Sequence, residues 1–502
     1  MYEPWKSDRP VLPTKRRNKA VLAAADGVEG RGRAEGNTTR RNTRRTQSRR
    51  YPVKGYRVPS ELARVHRAAR ENRKTRFTAL LHHVTLESLR RAYANLKRNA
   101  AAGVDGVTWQ TYGENLEANL RDLLDRVHRG AYRARPSRRV YIAKADGRQR
   151  PLGIASLEDK LLQRAVADVM NAVYEADFLG FSYGFRPGRG QHNALDALYM
   201  GLTARKVNWV LDADIRGFFD AIDHEWLMRF VEHRFADRRL LRLIRKWLKA
   251  GVMEDGRWHA SETGTPQGST VSPLLANVYL HYVLDLWANQ WRKRHAHGDV
   301  IIVRYADDFV VGFQRREDAE RFRRELAGRL ADFGLELHPG KTRLLEFGRF
   351  AGPNRRERGA GKPETFDFLG FTHICSVTRN GKFQVKRRTS RKRMTAKLKD
   401  IREVLMRRRH APIPSQGAWL RAVVRGYYNY HAVPTNSGAL KRFLRAIRRL
   451  WIRALRRRGQ RHRMPWRRFD RIAARWLPEP RIIHPWPSQR LRVPTRGRSP
   501  VR

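Results

Sequence analysis

The chain of 502 residues has 106 Lys or Arg against 48 Asp or Glu, a formal net charge of +58 and a sequence pI near 11.5. That excess excludes an ordinary metabolic enzyme, while 41% hydrophobic and 10% aromatic residues exclude a purely disordered polycation. The length suggests roughly three domains. The charge calls for a polyanion, and nucleic acid, with about one charge per 1.7 Å of duplex axis, is a denser candidate than an anionic membrane surface. No apolar run reaches the ~18 residues of a membrane span and no signal-peptide stretch is present, so an intracellular, cytoplasmic, nucleic-acid-associated protein is expected. Cys375 is the only cysteine, which excludes intrachain disulfides and cysteine-based zinc fingers.

In chain order, residues 1–50 contain 14 Lys or Arg and 5 Asp or Glu among Gly, Thr and Asn. They read as a basic, disordered arm, extended here to residue 59. Residues 140–152 form two β-type runs around Asp146-Gly147, with Lys144 and Arg150 on either side. The next β-type run, Val210 to Ile215, puts Asp212 and Asp214 on one face and Leu211, Ala213 and Ile215 on the other. An acidic stripe on an apolar strand is costly unless it meets metal or water. Gly264-Thr265-Pro266-Gln267-Gly268-Ser269 follows, a turn-rich segment before a helix expected to begin near Ser272.

Ile301 to Phe313 reads as a hairpin whose tip holds Asp307 and Asp308. Two readings compete for that tip, an exposed Asp-Asp turn and a cation site. Adjacent carboxylates repel in a buried turn unless a cation sits there. With the 210–215 strand beside this hairpin, Asp214, Asp307 and Asp308 would converge to hold two hard divalent cations, magnesium being the expected ion, as two-metal phosphoryl transfer requires.

Residues 386–502 contain 35 Lys or Arg against 4 Asp or Glu. Apolar residues from Leu440 to Leu455 recur at helical spacing, giving an amphipathic helix with an Arg-covered outer face. Two more helices are expected at about 389–410 and 416–430, divided at Pro412 and Pro414, completing a three-helix basic unit. Residues 461–502 read as a basic tail.

Tyr305-Ala306-Asp307-Asp308, the segment from Asp214 to Phe219, and Gly264 to Ser269, in this order and spacing, resemble the palm motifs of reverse transcriptases encoded by group II introns. The resemblance extends from about Phe77 to about Gln489. It implies an α+β right-hand polymerase, with fingers and palm over 60–385 and an α-helical basic thumb, or maturase region, over 386–460. Asp214, Asp307 and Asp308 match the family's metal-binding carboxylates, with the carbonyl of Ile215 a further ligand. Phe219 matches the aromatic beneath the incoming sugar, whose bulk excludes a 2′-hydroxyl. Lys144 and Arg150 then belong to a fingers hairpin over the triphosphate. Gln267 and Gly268 lie by the nucleotide or template, and Lys341 near the leaving pyrophosphate.

The resemblance further assigns Arg425, Tyr427, Tyr428 and Tyr430 to the region that holds intron RNA. The tyrosines either stack on bases or pack the helix core, and Arg456, Arg457 and Arg458 contact phosphates. The implied function is RNA-templated DNA synthesis from deoxynucleoside triphosphates on a DNA primer or target, joined to intron-RNA binding for splicing and mobility. Two alternatives are a splicing cofactor with a vestigial polymerase, and a reverse transcriptase recruited to defence or repair. Many relatives carry a His-Asn-His-type endonuclease with paired cysteines, which one cysteine cannot build, so DNA cleavage is not expected.

Overall fold

The computed structural model of the chain describes residues 58–143, 149–265, 268–459 and 464–490. The expected basic arm up to residue 57, Lys144, Gln267 and the last stretch of the tail lie outside them.

Three small sheets organise an otherwise helical α+β chain. The first is built from β1 (Ser137–Ala143) and β2 (Gln149–Ile154), the hairpin expected around Asp146-Gly147, in antiparallel register with Ile142 opposite Arg150. Strand β3 (Trp209–Ala213) belongs to a second sheet, whereas β4 (Val252–Glu254) and β5 (Arg257–His259) extend the first in the order β2-β1-β4-β5. The helix Leu157–Asp177 starts on the Ser156 cap, whose side chain accepts from the Asp159 amide. It is buried along most of its length and packs mainly against the helices Ala63–Glu71 and Leu86–Ala94.

The central sheet has the order β6-β7-β3-β8, with β6 (Val300–Tyr305), β7 (Asp308–Phe313) and β8 (Arg343–Glu346) all antiparallel to their neighbours. Its alternation is two-sided: Leu211, Ile302, Phe309 and Val311 enter one core, and Val210, Ile301, Val303 and Val310 the other. This explains the unbroken apolar run Ile301-Ile302-Val303, which a half-exposed strand would interrupt with polar residues. One core is backed by a long helical stretch in which Ser272–Leu280 and Leu286–Arg294 flank a single π-type turn, His281–Asp285. The other is closed by the helix Gln191–Ala204 and by the third sheet, β9 (Phe366–Phe368), β10 (Phe371–Val377) and β11 (Phe383–Thr389).

The C-terminal helices span Arg391–Arg407, Ile413–His431 and Ser437–Arg456. Pro414 was expected in the break between the first two, but it sits in the first turn of the second, where a missing amide hydrogen costs nothing. The expected tail is corrected more substantially: Trp466–Trp476 is a fourth helix, packed on the others through Phe469 and Ala473. Trp476 lies so tightly over Gly417 that a β-carbon there would clash with the indole. Phe469 is thus a core residue and Trp476 packs half-buried against that core, while Trp466 and Trp486 stay exposed. Beyond the fourth helix the Ile483 and His484 amides donate to the Ala432 carbonyl, and the chain returns to the central body, where Arg490 Nε forms an ion pair with Asp196 Oδ2 at 2.9 Å. Asp196, fully buried, also accepts from Arg387 Nη1 of β11 at 2.9 Å.

Candidate active site

The β6–β7 hairpin turns through Ala306 and Asp307, with Ala306 at a φ of 58°, a conformation unfavourable for a residue with a side chain. The surroundings hold it there. Arg304, fully buried, donates to both oxygens of Asp285 (Nε 2.7 Å, Nη2 2.6 Å), to Asn277 Oδ1 (3.0 Å), to Ser182 Oγ (2.7 Å) and to the Ala306 carbonyl (3.0 Å). On the other flank Gly184 approaches the Ala306 amide so closely that any side chain would collide with it. Its carbonyl accepts from Asn277 Nδ2 at 2.7 Å. Nothing in the sequence reading singled out Arg304, Asp285 or Gly184. The available signal was an arginine inside an otherwise apolar strand, a placement that demands a buried partner.

Register brings the acidic residues together. Ala213 pairs with Phe309, so continuing the ladder sets Asp214 beside Asp308 and Ile215 beside Asp307. By alternation Asp212, Asp214 and Asp308 share the face of Val210 and Val310. Across the other edge, the Arg216 amide donates to Glu336 O (2.9 Å) and the His338 amide to Asp214 O (2.8 Å), around an Ile215–Leu337 bridge. In such a pair the residue at the bridge directs its own amide and carbonyl to the opposite edge. The Ile215 carbonyl therefore faces the hairpin tip.

The charges there are crowded. Burial pushes the Asp307 acid up, with the Asp214 charge adding to it and Arg150 and Arg304 opposing it. Asp308 opens to solvent at one side, yet crowding by the surrounding protein, then Asp307 and Asp214, pushes it up to about 6. Asp212 rises to about 6, chiefly by burial, although Arg343 Nη2 lies 3.3 Å from its Oδ2. Lys341 Nζ donates to Asp214 Oδ2, so the lysine expected near a leaving group serves here as the counter-charge of a carboxylate. Among the described residues no three His, Cys, Asp or Glu side chains converge to ligand distance as they stand. The donor set nevertheless suits a hard divalent ion: oxygen atoms only, mutually repelling, with one of them already neutralised by a cation.

Phe219 is half-buried in the Arg216–Asp220 turn that follows Asp214, while Phe218 is a core residue. The Gly264-Thr265 segment is bound to this turn, with the Thr265 amide donating to Phe219 O (2.8 Å) and Gly264 N to Ile222 O (2.8 Å). Gly268 has a φ of 116°, and a β-carbon there would lie 2.5 Å from the Gly153 carbonyl of β2. A glycine is therefore required here by the contact with β2 alone. Arg150 is exposed on β2.

The expected RNA-binding residues divide. Tyr427 and Tyr428 are buried in the C-terminal helical core, Tyr427 stacked on Phe443 at 3.6 Å between centroids. Tyr430 is half-buried and donates its hydroxyl to Leu369 O at 2.7 Å. Tyr427 and Tyr428 pack the helix core, while Tyr430 packs on Phe371 against the core shared by the central and third sheets. The neighbouring Asn436 likewise holds β11, accepting from the Thr389 amide at 3.0 Å. Arg425, Arg456 and Arg457 are exposed; Arg456 donates to Met464 O, and Arg458 is partly covered and donates to Ala411 O.

A pH dependence follows from the crowded acids. A carboxyl raised on folding stabilises the fold while protonated, and that contribution is lost as pH rises through the folded value. Relative to Asp308→Asn, the metal-free wild type is expected to lose thermal stability as pH rises from about 4 through about 6, from the ordinary 3.8 to the raised value. Added divalent cation should cancel the loss. A midpoint difference that stays constant over this range would contradict the assignment.

No helix among the described residues is long and apolar enough to cross a membrane. Residues 142–373 match the family profile of the reverse transcriptase (RNA-dependent DNA polymerase). Protein YkfC of Escherichia coli (strain K12) is 35% identical over 275 residues, covering 48% of this chain and 71% of YkfC. Group II intron-encoded protein LtrA of Lactococcus lactis subsp. cremoris is 37% identical over 231 residues, 45% of this chain and 38% of LtrA. An uncharacterized 91 kDa protein in the cob intron of Schizosaccharomyces pombe is 32% identical over 269 residues, 52% of this chain and 33% of that protein. The match to YkfC thus spans most of that protein, whereas the matches to the two intron proteins span less than half of theirs.

Proposed function

Because this chain belongs to the reverse transcriptases, of the kind that group II introns encode, we propose that it copies RNA into DNA at the β6–β7 tip, using two magnesium ions, and binds intron RNA to assist splicing and mobility. Reverse transcriptases generally use divalent metal ions. The observation that supports the reading best is that strand register brings Asp214, Asp307, Asp308 and the Ile215 carbonyl side by side at one end of the central sheet.

Asp214, Asp307, Asp308 and the Ile215 carbonyl would hold the ions, which supply a lowered pKa for the attacking primer hydroxyl and charge stabilisation for the leaving pyrophosphate. Lys341 must release Asp214 for this, and its ammonium is then free to meet the departing phosphates. Arg150 stands on the hairpin above, where it adds positive charge for a triphosphate. Phe219 forms the wall against the sugar. Arg425, Arg456 and Arg457 provide exposed cations for RNA phosphates.

Extension of a DNA primer on an RNA template tests the core of the reading: no deoxynucleotide incorporation by the wild type with magnesium would overturn it. Within that assay Phe219→Val is expected to raise ribonucleotide incorporation relative to deoxynucleotide by about ten- to a hundredfold. An unchanged ratio would remove Phe219 from sugar selection.

A further inference from the structure

A tryptophan outside the polymerase motifs is both exposed and held in place. Trp258 of β5 is 56% exposed. Its indole Nε1 donates to the Ala250 carbonyl at 3.1 Å, and Gly251, at a φ of 74°, leaves room for the ring where a side chain would strike it. The ring edge is thereby anchored and its face left open. That is unusual in this arginine-rich chain, where other tryptophans carry a guanidinium on the ring: Arg98 on Trp109, Arg229 on Trp226, Arg456 on Trp466. Among the described residues Trp258 has no such cover and no aromatic neighbour.

Beside it lies an open cavity of about 560 Å³, lined by Arg133, Arg242, Arg245, Lys246 and Lys249 and by no acidic side chain. Arg245 is paired with Glu232, and Lys246 donates to the Tyr132 carbonyl. Arg133, Arg242 and Lys249 have no ionic or hydrogen-bonding partner among the described residues. Arg242 and Lys249 come from the helix Arg238–Lys249, whose opposite face is buried through Leu241, Ile244 and Leu248. Arg242 and Lys249 are thereby carried at set positions on one rigid helix and line the cavity together with the indole. A membrane surface or an acidic protein would satisfy the charge but would not use an isolated, open, flat ring.

We propose that this cavity is a second nucleic-acid site, taking an unpaired nucleotide with its base on Trp258 and its flanking phosphates on Arg133, Arg242 and Lys249. Stacking on an aromatic platform with cations tracking the backbone is the general mode for single strands, tolerant of base identity. No residue of the site belongs to the acidic centre, so the inference does not depend on the polymerase reading.

Photocrosslinking of the full chain with single-stranded RNA containing thiouridine, and with DNA containing thiothymidine, tests it. Crosslinks on the segment around Trp258 are expected, and the ratio of the two probes identifies the strand that occupies the site. Trp258→Ala should lower the yield there about tenfold, whereas Trp258→Phe should retain most of it. Replacing Arg133, Arg242 and Lys249 by Gln should flatten the salt dependence by about 0.7 per phosphate contact removed. Absence of crosslinks at this segment in the wild type, or an unchanged yield in a folded Trp258→Ala, would overturn the proposal. Primer extension by the same variants reports on the polymerase reading separately.

Discussion

Asp307→Asn is expected to reduce primer extension on an RNA template by about three orders of magnitude or more, because it removes one of the carboxylates proposed to hold metal at the edge of the central sheet. Its effect on stability should have the opposite sign. The ionised carboxyl is disfavoured by burial and by Asp214, so a neutral isostere relieves repulsion that the metal-free fold otherwise endures. The unfolding midpoint should therefore hold steady or rise while activity disappears, the usual relation between a functional charge and the fold that contains it. Comparable incorporation by wild type and a folded Asp307→Asn would dismiss the metal-site assignment. Collapse of the fold would instead point to a structural role for the turn.

Arg304→Met is expected to destabilise the protein by about 3–5 kcal/mol, since it strands the Asp285 carboxylate in a core with its counter-charge removed. Both side chains are fully inaccessible to solvent, so water cannot compensate. Coupling Arg304→Met with Asp285→Leu should restore much of the loss, because buried ion pairs replaced by apolar residues of similar volume are often tolerated. Activity should not return with stability. Arg304 also donates to the Ala306 carbonyl at 3.0 Å, and without that bond the strained residue next to Asp307 is free to relax. Thermal unfolding and primer extension on the single and double variants separate the two roles. Full recovery of both in the double variant would reduce Arg304 to a neutraliser of Asp285.

The parts of this site that were legible in the sequence are those set by local pattern. Alternation placed Asp212 and Asp214 on one face, and two apolar runs around Asp307-Asp308 gave the hairpin, because strand period and turn chemistry are short-range properties. The resemblance to intron reverse transcriptases then assigned roles that spacing alone left open. What could not be read depends on the meeting of distant segments. Nothing near Arg304 announces Asp285 in its π-type turn, and Lys341 finds Asp214 across a separation of 127 positions. The two readings of Tyr427 and Tyr428 stay open in sequence for the same reason: which face of their helix is buried depends on Phe443 and on the fourth helix. Gly268 shows the limit most plainly, since a glycine needed for a ligand and one needed for a neighbouring carbonyl look identical in sequence.

Asp196 has a kinetic implication. It is held by Arg387 and by Arg490, and the second partner lies roughly 300 residues further along the chain, a separation that makes this contact among the slowest to establish. A ribosome that has delivered the whole acidic centre and the four C-terminal helices has still to release Arg490, which adds the second hold on Asp196. The emerging protein therefore passes through an interval in which its acidic centre is complete but its grip is fastened on one side only.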